Sequence, residues 1–173
     1  MKRVLAVLIL TASFFPAASA DPLKEAHSGK LQCYRPDTAR KTCLALSGYA
    51  TQSDGTILNN ADALFAVQPP LVMRTTSVVA VKGEAVCGSM RQADIEHAEF
   101  LADGKKVPES QAAAIRAQII PMLRSQFGKE VCATYAPSGK KMSATVTIDG
   151  VANPALTQEF VWVKPEEGYK VSP

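Results

Sequence analysis

Residues 142–150 read MSATVTIDG, and this stretch decides the fold class. Its apolar residues stand at even positions and alternate with serine and threonine. A period of two is typical of a β-strand that buries one face, because successive side chains point to opposite sides. Asp149 and Gly150 follow directly, and both residue types tolerate the positive φ angles of a tight hairpin turn. The stretch therefore predicts one strand of a β-hairpin.

The same turn signal recurs along the chain. Asp-Gly pairs also stand at 54–55 and 103–104, with strand-like segments around them. Pro69 and Pro70 must interrupt hydrogen bonding between two of these segments, since proline has no N–H to donate. Short strands separated by such turns favour antiparallel sheet. The other predicted strands are 31–35, 42–50, 56–67, 71–81, 84–90, 98–101, 130–135 and 159–163.

One long helix is predicted over about 108–127. Pro108 suits the first helical position, Glu109 complements the positive amino-terminal end of the helix dipole, and Gly128 can end the helix. Isoleucine and leucine recur at helical spacing, as expected of a helix that lies on a sheet. Pro121 removes one backbone hydrogen bond and predicts a kink.

These elements together predict an α+β fold. The expected architecture is a mostly antiparallel, hairpin-rich sheet of about seven to nine short strands. One long, proline-kinked helix would pack on this sheet, and disulfides would staple it.

The first twenty residues have the layout of a cleavable secretory signal peptide. Lys2 and Arg3 give a positive start, residues 4–15 are almost entirely apolar, and residues 18–20 are the small Ala-Ser-Ala of a cleavage site. The apolar run is shorter than the ~20 residues that a transmembrane helix needs, and an uncleaved anchor is the alternative. We therefore predict a signal peptide over 1–20 and a single soluble domain over 21–173. The mature protein would be periplasmic or secreted, without a stable membrane anchor.

Charge argues against a nucleic-acid partner. Loss of Lys2 and Arg3 leaves 17 of the 19 Lys and Arg residues against 16 Asp and Glu, a formal charge of +1. The remaining basic residues are scattered, whereas nucleic-acid binding needs a cluster of Lys and Arg. The expected partner is an unidentified protein or small molecule.

Four cysteines remain in the mature chain: Cys33, Cys43, Cys87 and Cys132. An even number in an exported chain predicts two disulfides, for which three pairings exist. We favour Cys33–Cys43, which closes a short polar loop containing Pro36, together with Cys87–Cys132. A zinc site is the alternative, but no C-x-x-C pair is present and an exported chain meets an oxidising compartment. No metal or other cofactor is expected.

The loop closed by the first disulfide is the best candidate for a binding surface. Residues 33–43 read CYRPDTARKTC and carry Arg35, Asp37, Arg40 and Lys41. A loop held in one conformation loses little entropy on binding, and its basic side chains could contact an acidic partner. Presentation of an arginine to a protease would instead make the protein an inhibitor. The structural alternative is a stapled hairpin with no contact of its own.

The densest group of ionisable residues is DIEHAE at 94–99. Asp94, His97 and Glu99 offer ligands for a divalent ion, and carboxylates here could serve an envelope hydrolase. In a strand, however, Asp94 and Glu96 would face away from His97 and Glu99. The structural alternative is a solvated surface turn. Convergence on a concave pocket would favour an enzyme, and dispersal into solvent would favour a binding protein.

Other catalytic patterns are missing from the sequence. Gly88 and Ser89 lack the G-x-S-x-G frame of a nucleophile elbow, no glycine-rich phosphate loop occurs, and no C-x-x-C redox motif exists. With all four cysteines assigned to disulfides, no thiol remains as a nucleophile. The sequence therefore favours a non-catalytic binding or accessory protein, with the hydrolase and the protease inhibitor as alternatives.

Overall fold

The computed structural model describes residues 21–173. The predicted signal peptide over 1–20 lies outside the described residues. Half of the described residues lie in strands and 22% in helices. Within this part of the chain, no helix has the length and apolar character needed to cross a membrane.

Thirteen strands and three α-helices follow one another in residues 21–173. The strands are β1 (Leu31–Tyr34), β2 (Thr42–Cys43), β3 (Ala45–Thr51), β4 (Ile57–Val67), β5 (Pro70–Lys82), β6 (Ala85–Ser89), β7 (Glu99–Ala102), β8 (Lys105–Lys106), β9 (Glu130–Ser138), β10 (Lys141–Ile148), β11 (Val151–Ala152), β12 (Gln158–Val163) and β13 (Lys170–Val171). The helices are α1 (Lys24–His27), α2 (Gln92–Glu96) and α3 (Glu109–Leu123), with short 3-10 turns at Arg124–Gln126, Pro154–Leu156 and Pro165–Glu167.

Eight of the strands form a closed antiparallel β-barrel. Around the barrel the order is β4, β3, β1, β12, β10, β9, β6 and β5, and β5 pairs again with β4. The seam between β4 and β5 is long, running from Ile57 opposite Val79 to Val67 opposite Pro70. Closure supplies a hydrogen-bonding neighbour to strands that would otherwise form the edges of an open sheet.

The closed barrel shows that the predicted α+β fold, a sheet of short strands with a helix packed on it, is wrong. Alternation of apolar and polar residues indicates a strand, but it does not indicate which strands meet when a sheet curls. β4 and β5 are 11 and 13 residues long, not short. Long twisted strands can carry a sheet around until its first and last strands pair, which makes a barrel.

The long helix falls within its predicted range but does not lie across a sheet face. Ala112 and Ile119 of α3 form a buried cluster with Ile95 of α2 and Phe100 of β7. The helix therefore packs on a small annex beside the start of β5. Pro121 lies inside α3, which ends two residues later and passes into the Arg124–Gln126 turn.

The N-terminal segment plugs the barrel. Leu23 is 0% exposed, and together with Ala26 of α1 it packs against Val86, Tyr49 and the indole of Trp162. The Leu23 N–H donates a 2.9 Å hydrogen bond to an Asp21 carboxylate oxygen, which fixes the chain where it enters α1. The middle of the barrel lies between this N-terminal cluster and the cluster around α3.

Both favoured disulfides are present, which confirms the pairing inferred from spacing. Cys33–Cys43 lies in a buried cluster outside the barrel, close to the point where β13 runs parallel to β2. Cys87 of β6 lies directly opposite Cys132 of β9, so the second disulfide joins neighbouring strands of the barrel wall. Two disulfides fit an oxidising compartment outside the cytoplasm.

Reduction in denaturant is expected to raise the intact mass by about 4 Da, because each disulfide gains two hydrogens. Denaturant is needed since Cys33 and Cys43 are almost completely buried. Mass spectrometry with and without reductant measures the change. An unchanged mass would contradict the disulfide assignment.

Candidate functional site

The inward-facing side chains in the middle of the barrel are mostly polar. Gln32 of β1 lies opposite Ser47 of β3, and Tyr49 of β3 lies opposite Asn59 of β4. Asn59 in turn lies opposite Ser77 of β5. Residues two apart on a strand share a face, so the strands present these polar groups together to the interior.

These side chains surround a cavity of ≈ 340 Å³. An eight-stranded barrel is wide enough to be filled by side chains or to hold one small ligand. The polar residues that line the cavity are Tyr34, Tyr49, Tyr135, Ser47, Asn59, Thr75, Ser77, Ser89 and Asp94. Its apolar lining includes Val79, Val86, Val131 and Ala133. An apolar wall with a few placed polar groups is typical of a small-molecule site.

Three tyrosine hydroxyls meet around the side chain of Gln32. Gln32 Oε1 accepts hydrogen bonds from the hydroxyls of Tyr34 (3.0 Å) and Tyr49 (3.1 Å). The hydroxyl oxygens of Tyr49 and Tyr135 lie 3.0 Å apart. Because Tyr49 has a single proton and gives it to Gln32, Tyr135 donates to Tyr49. One amide oxygen thus orients hydroxyls from three strands of the barrel.

Gln32 holds these hydroxyls at an energetic cost. It is 0% exposed, and its Nε2 has no hydrogen-bond partner among the described residues. Leaving a buried amide donor without a partner costs about 1–3 kcal/mol. Such groups are rare in folded proteins and usually have a specific reason. Here the same side chain orders the tyrosines that line the cavity.

Tyr34 and Tyr49 stay protonated at the cavity near neutral pH. Burial raises the pKa of Tyr34 well above its ordinary value, and the nearby phenols of Tyr135 and Tyr49 raise it further. Burial also raises the pKa of Tyr49, and Tyr135 adds to the effect. Neither side chain is a phenolate base near neutral pH. The cluster is therefore suited to holding a molecule by hydrogen bonds and not to abstracting a proton.

The barrel wall has a gap beside the cavity. On the edge of β5 that faces away from β4, residues 71–74 pair with β7 and residues 79–82 pair with β6. Within residues 21–173, no strand pairs with 75–78 on that edge. Helix α2 packs against β5, and its residues Asp94 and Ile95 line the cavity. α2 thus covers the gap in the barrel wall.

Asp94 belongs to the cavity and not to a cluster with its sequence neighbours. Its side chain is 5% exposed and pairs with Arg91, with Nη2 2.5 Å from Oδ1. The Arg91 backbone N–H donates to the other carboxylate oxygen at 3.2 Å. The hydrogen bond to Asp94 raises the pKa of Arg91. This carboxylate is therefore neutralised at the start of α2.

The other members of the 94–99 group point elsewhere. His97 Nδ1 lies 2.7 Å from the Ala93 carbonyl oxygen, so this nitrogen donates to the backbone. Glu99 pairs with Lys106 at 2.5 Å, and this partner lowers the pKa of Glu99. Glu96 and His97 are exposed. The structure does not bring the four ionisable side chains together in one pocket.

The 33–43 loop is held by its own side chains and by the C-terminal segment. Asp37 accepts hydrogen bonds from the Arg40 backbone N–H (3.0 Å) and from Arg40 Nε (2.7 Å), and these lower the pKa of Asp37. Lys41 Nζ donates to the Glu167 carbonyl oxygen at 3.0 Å. Arg35 has a positive φ of 48° and is exposed. Asp37, Arg40 and Lys41 are thus engaged within the protein, whereas Arg35 faces solvent.

One group of metal-ligand side chains lies together in residues 21–173. It consists of Cys87, Glu130 and Cys132. Both sulfurs are used in the disulfide, so the group offers one carboxylate.

Gln32 and the tyrosines were not predicted as site residues. They lie in predicted strands, where an aromatic side chain is expected in a packed core. A signal was present, because Gln32/Tyr34 and Ser47/Tyr49 repeat one pattern: a polar residue two positions before a tyrosine. That pattern puts hydrogen-bonding groups on the same face of two strands.

No protein-family model, no curated protein and no solved structure matches this chain. The function therefore has to be inferred from the chemistry of the site. Of the features described, the barrel cavity brings together hydrogen-bonding side chains from the largest number of strands.

Proposed function

We propose that this chain is an exported, non-catalytic binding protein that holds a small molecule inside its barrel. The observation that supports this most strongly is the ≈ 340 Å³ cavity whose tyrosine hydroxyls are oriented by the buried amide of Gln32. A site whose polar groups are already ordered loses little entropy when a ligand binds. The disulfides favour a periplasmic or extracellular setting.

Among the described residues, the cavity lining lacks the activated nucleophile or base that catalysis needs. Nucleophilic or acid–base chemistry requires an activated nucleophile or a base within hydrogen-bond reach of a substrate. Among the described residues, the cavity lining contains no histidine, lysine or cysteine, and its one carboxylate, Asp94, is bound by Arg91. Binding is therefore favoured over an envelope hydrolase.

The size of the cavity limits the ligand. A volume of ≈ 340 Å³ corresponds to about 11 water molecules at ~30 Å³ each. That space suits a compact molecule such as one substituted ring. A lipid chain or a peptide would need a longer cavity.

Contact with a protein through the 33–43 loop is the second candidate function. The loop is rigid because Asp37 binds Arg40 and the C-terminal segment binds Lys41. Arg35 is the basic side chain left facing solvent. A protease inhibitor could present Arg35 or Arg40; both are exposed, and Arg40 is paired with Asp37.

Filling the cavity is expected to weaken retention of the ligand about tenfold. Ala133 lines the cavity, and Ala133→Leu adds three carbon atoms to the wall. The variant should retain about tenfold less small molecule than the wild type, a difference of ~1.4 kcal/mol in binding. Both proteins are exported from their full-length genes, incubated with small-molecule extract of the producing cells, and purified. Native mass spectrometry and analysis of the molecules released on denaturation then measure what each protein holds.

Thr134→Leu is the matched control, because Thr134 is the next residue of β9 and is exposed on the outer side. It should retain as much ligand as the wild type. Ser77→Leu is a second filling variant from another strand, in case Ala133→Leu does not fold by circular dichroism. Absence of any retained molecule in the wild type, or equal retention in a folded filling variant, would contradict the proposal.

A further inference from the structure

We infer that the molecule held in the barrel carries N–H or O–H donors and no negative charge, because two side-chain oxygens of the cavity wall are held as acceptors and no cation lines it. The inference rests on the proposed function and narrows its ligand class. It follows from which acceptor each polar hydrogen of the lining side chains already binds.

The tyrosine protons are used within the wall. Gln32 Oε1 is a carbonyl oxygen and can only accept, so the hydroxyl protons of Tyr34 and Tyr49 both point to it. The Tyr135 proton goes to the Tyr49 oxygen 3.0 Å away. The phenol oxygen of Tyr135 is then left with lone pairs and no proton for a ligand. Tyr135 lines the cavity, so it offers an acceptor there.

Asn59 also presents an acceptor. Its Nδ2 donates to Ser47 Oγ at 2.6 Å and to the Gly48 carbonyl oxygen at 3.3 Å, which uses both amide hydrogens. Asn59 lines the cavity, and among the described residues no donor binds its Oδ1. The amide is therefore held with its oxygen available to a ligand.

The charges around the cavity exclude an anion. No lysine, arginine or histidine is among the described residues that line it, and the one carboxylate, Asp94, is already paired with Arg91. A ligand carboxylate or phosphate would be buried beside oxygens without a cation, which is strongly unfavourable. The hydroxyls of Ser47, Thr75, Ser77 and Ser89 can turn their protons toward a ligand, but they are neutral donors and also acceptors.

A neutral or positively charged molecule satisfies this wall. A molecule that donates to both the Tyr135 oxygen and Asn59 Oδ1 would bridge β9 and β4, which are three steps apart around the barrel. Amides, amidines and compact polyols have such donors. The same wall discriminates against carboxylates of equal shape, because donors and not size decide the fit.

The test uses three probes of one shape: benzamidine, benzamide and benzoate. Each has a phenyl ring and a planar three-atom head, and the number of donors falls in that order. Each is titrated into the exported, isotope-labelled protein while backbone amide signals are followed by NMR. Benzamidine should shift the signals of 47–49 and 133–135 at the lowest concentration, with benzamide next. Benzoate should bind at least about tenfold more weakly than benzamidine.

Variants of the two acceptor residues test which atoms of the cavity wall accept hydrogen bonds from the ligand. Asn59→Leu removes one acceptor and should weaken benzamidine binding about tenfold. The three probes should still bind in the same order of affinity as in the wild type. Asn60→Leu is the control, because Asn60 is the next residue of β4 and bonds Thr76 on the outer face. Tyr135→Phe removes the other acceptor but keeps the ring, and it serves if Asn59→Leu does not fold.

The outcomes separate this inference from the proposed function. Benzoate binding as tightly as benzamidine at 47–49 and 133–135 would overturn the inference and leave the binding function in place. Unchanged benzamidine affinity in both acceptor variants, or no shift of these signals with any probe, would also overturn it. The binding function itself depends on the retention experiment with Ala133→Leu.

Discussion

Replacement of Phe160 by alanine is expected to lower the free energy of unfolding by about 3–5 kcal/mol. Phe160 is 0% exposed on the inner face of β12. Its ring centroid lies 5.2 Å from that of Tyr34, 5.3 Å from that of Tyr135 and 5.4 Å from that of Trp162. Alanine would lose these contacts and leave a void that the closed barrel cannot collapse to fill. Equilibrium unfolding in urea measures the loss.

The matched control is Phe65→Ala in β4, which deletes the same ring from a site that is 45% exposed. It should cost less than about 1.5 kcal/mol, because most of the benefit of burying a ring is missing there. Equal losses in the two variants would show that the Phe160 cluster is not the core of the barrel. Since Tyr34 and Tyr135 also line the cavity, Phe160→Ala should weaken ligand retention as well.

Alkaline pH is expected to unfold this protein steeply. The folded chain raises the pKa of Tyr34 and Tyr49, chiefly by burial. In the unfolded chain these phenols ionise near pH ~10, so above that pH the unfolded state binds fewer protons than the folded state. Stability is then lost as the pH rises, by about 1.4 kcal/mol per pH unit for each of the two phenols. Below pH ~10 their contribution is fully present.

The slope of the free energy of unfolding against pH tests this expectation. Unfolding is followed by circular dichroism and phenolate formation by near-ultraviolet absorbance, at several pH values above ~10. Tyr49→Phe removes one of the two groups and should reduce the slope by about 1.4 kcal/mol per pH unit, whatever it does to stability at neutral pH. Ionisation of all tyrosines in a protein that stays folded would contradict the assignment of Tyr34 and Tyr49 as buried phenols.

Local patterns identified the strands and turns because these depend on neighbouring residues. The alternation at 142–148 corresponds to β10, and the hairpin to β11 has Asp149 and Gly150 at φ 49° and 78°. Cysteine pairing also followed from spacing and compartment. The 33–43 loop was identified by the same reasoning, and its role as a contact surface stays a prediction.

The candidate site could not be derived in this way. Tyr49 and Tyr135 are 86 residues apart in the sequence, and their hydroxyls meet only because β3 and β9 face each other across the barrel. Asp94 was grouped with Glu96, His97 and Glu99 by proximity in sequence. In the fold, α2 turns Asp94 into the gap of the barrel wall and leaves His97 outside.

The sequence by itself determined where the strands and the long helix lie and which cysteines pair, since each depends on residue type and spacing. Only the tertiary structure decided that the sheet closes, because closure requires β4 to pair with both β3 and β5. Closure also turned the face that carries Gln32, Tyr34 and Tyr49 inward. Hydrogen-bonding groups that would meet water on an open sheet instead bond one another around a cavity, because closure brings strands that are distant in sequence face to face.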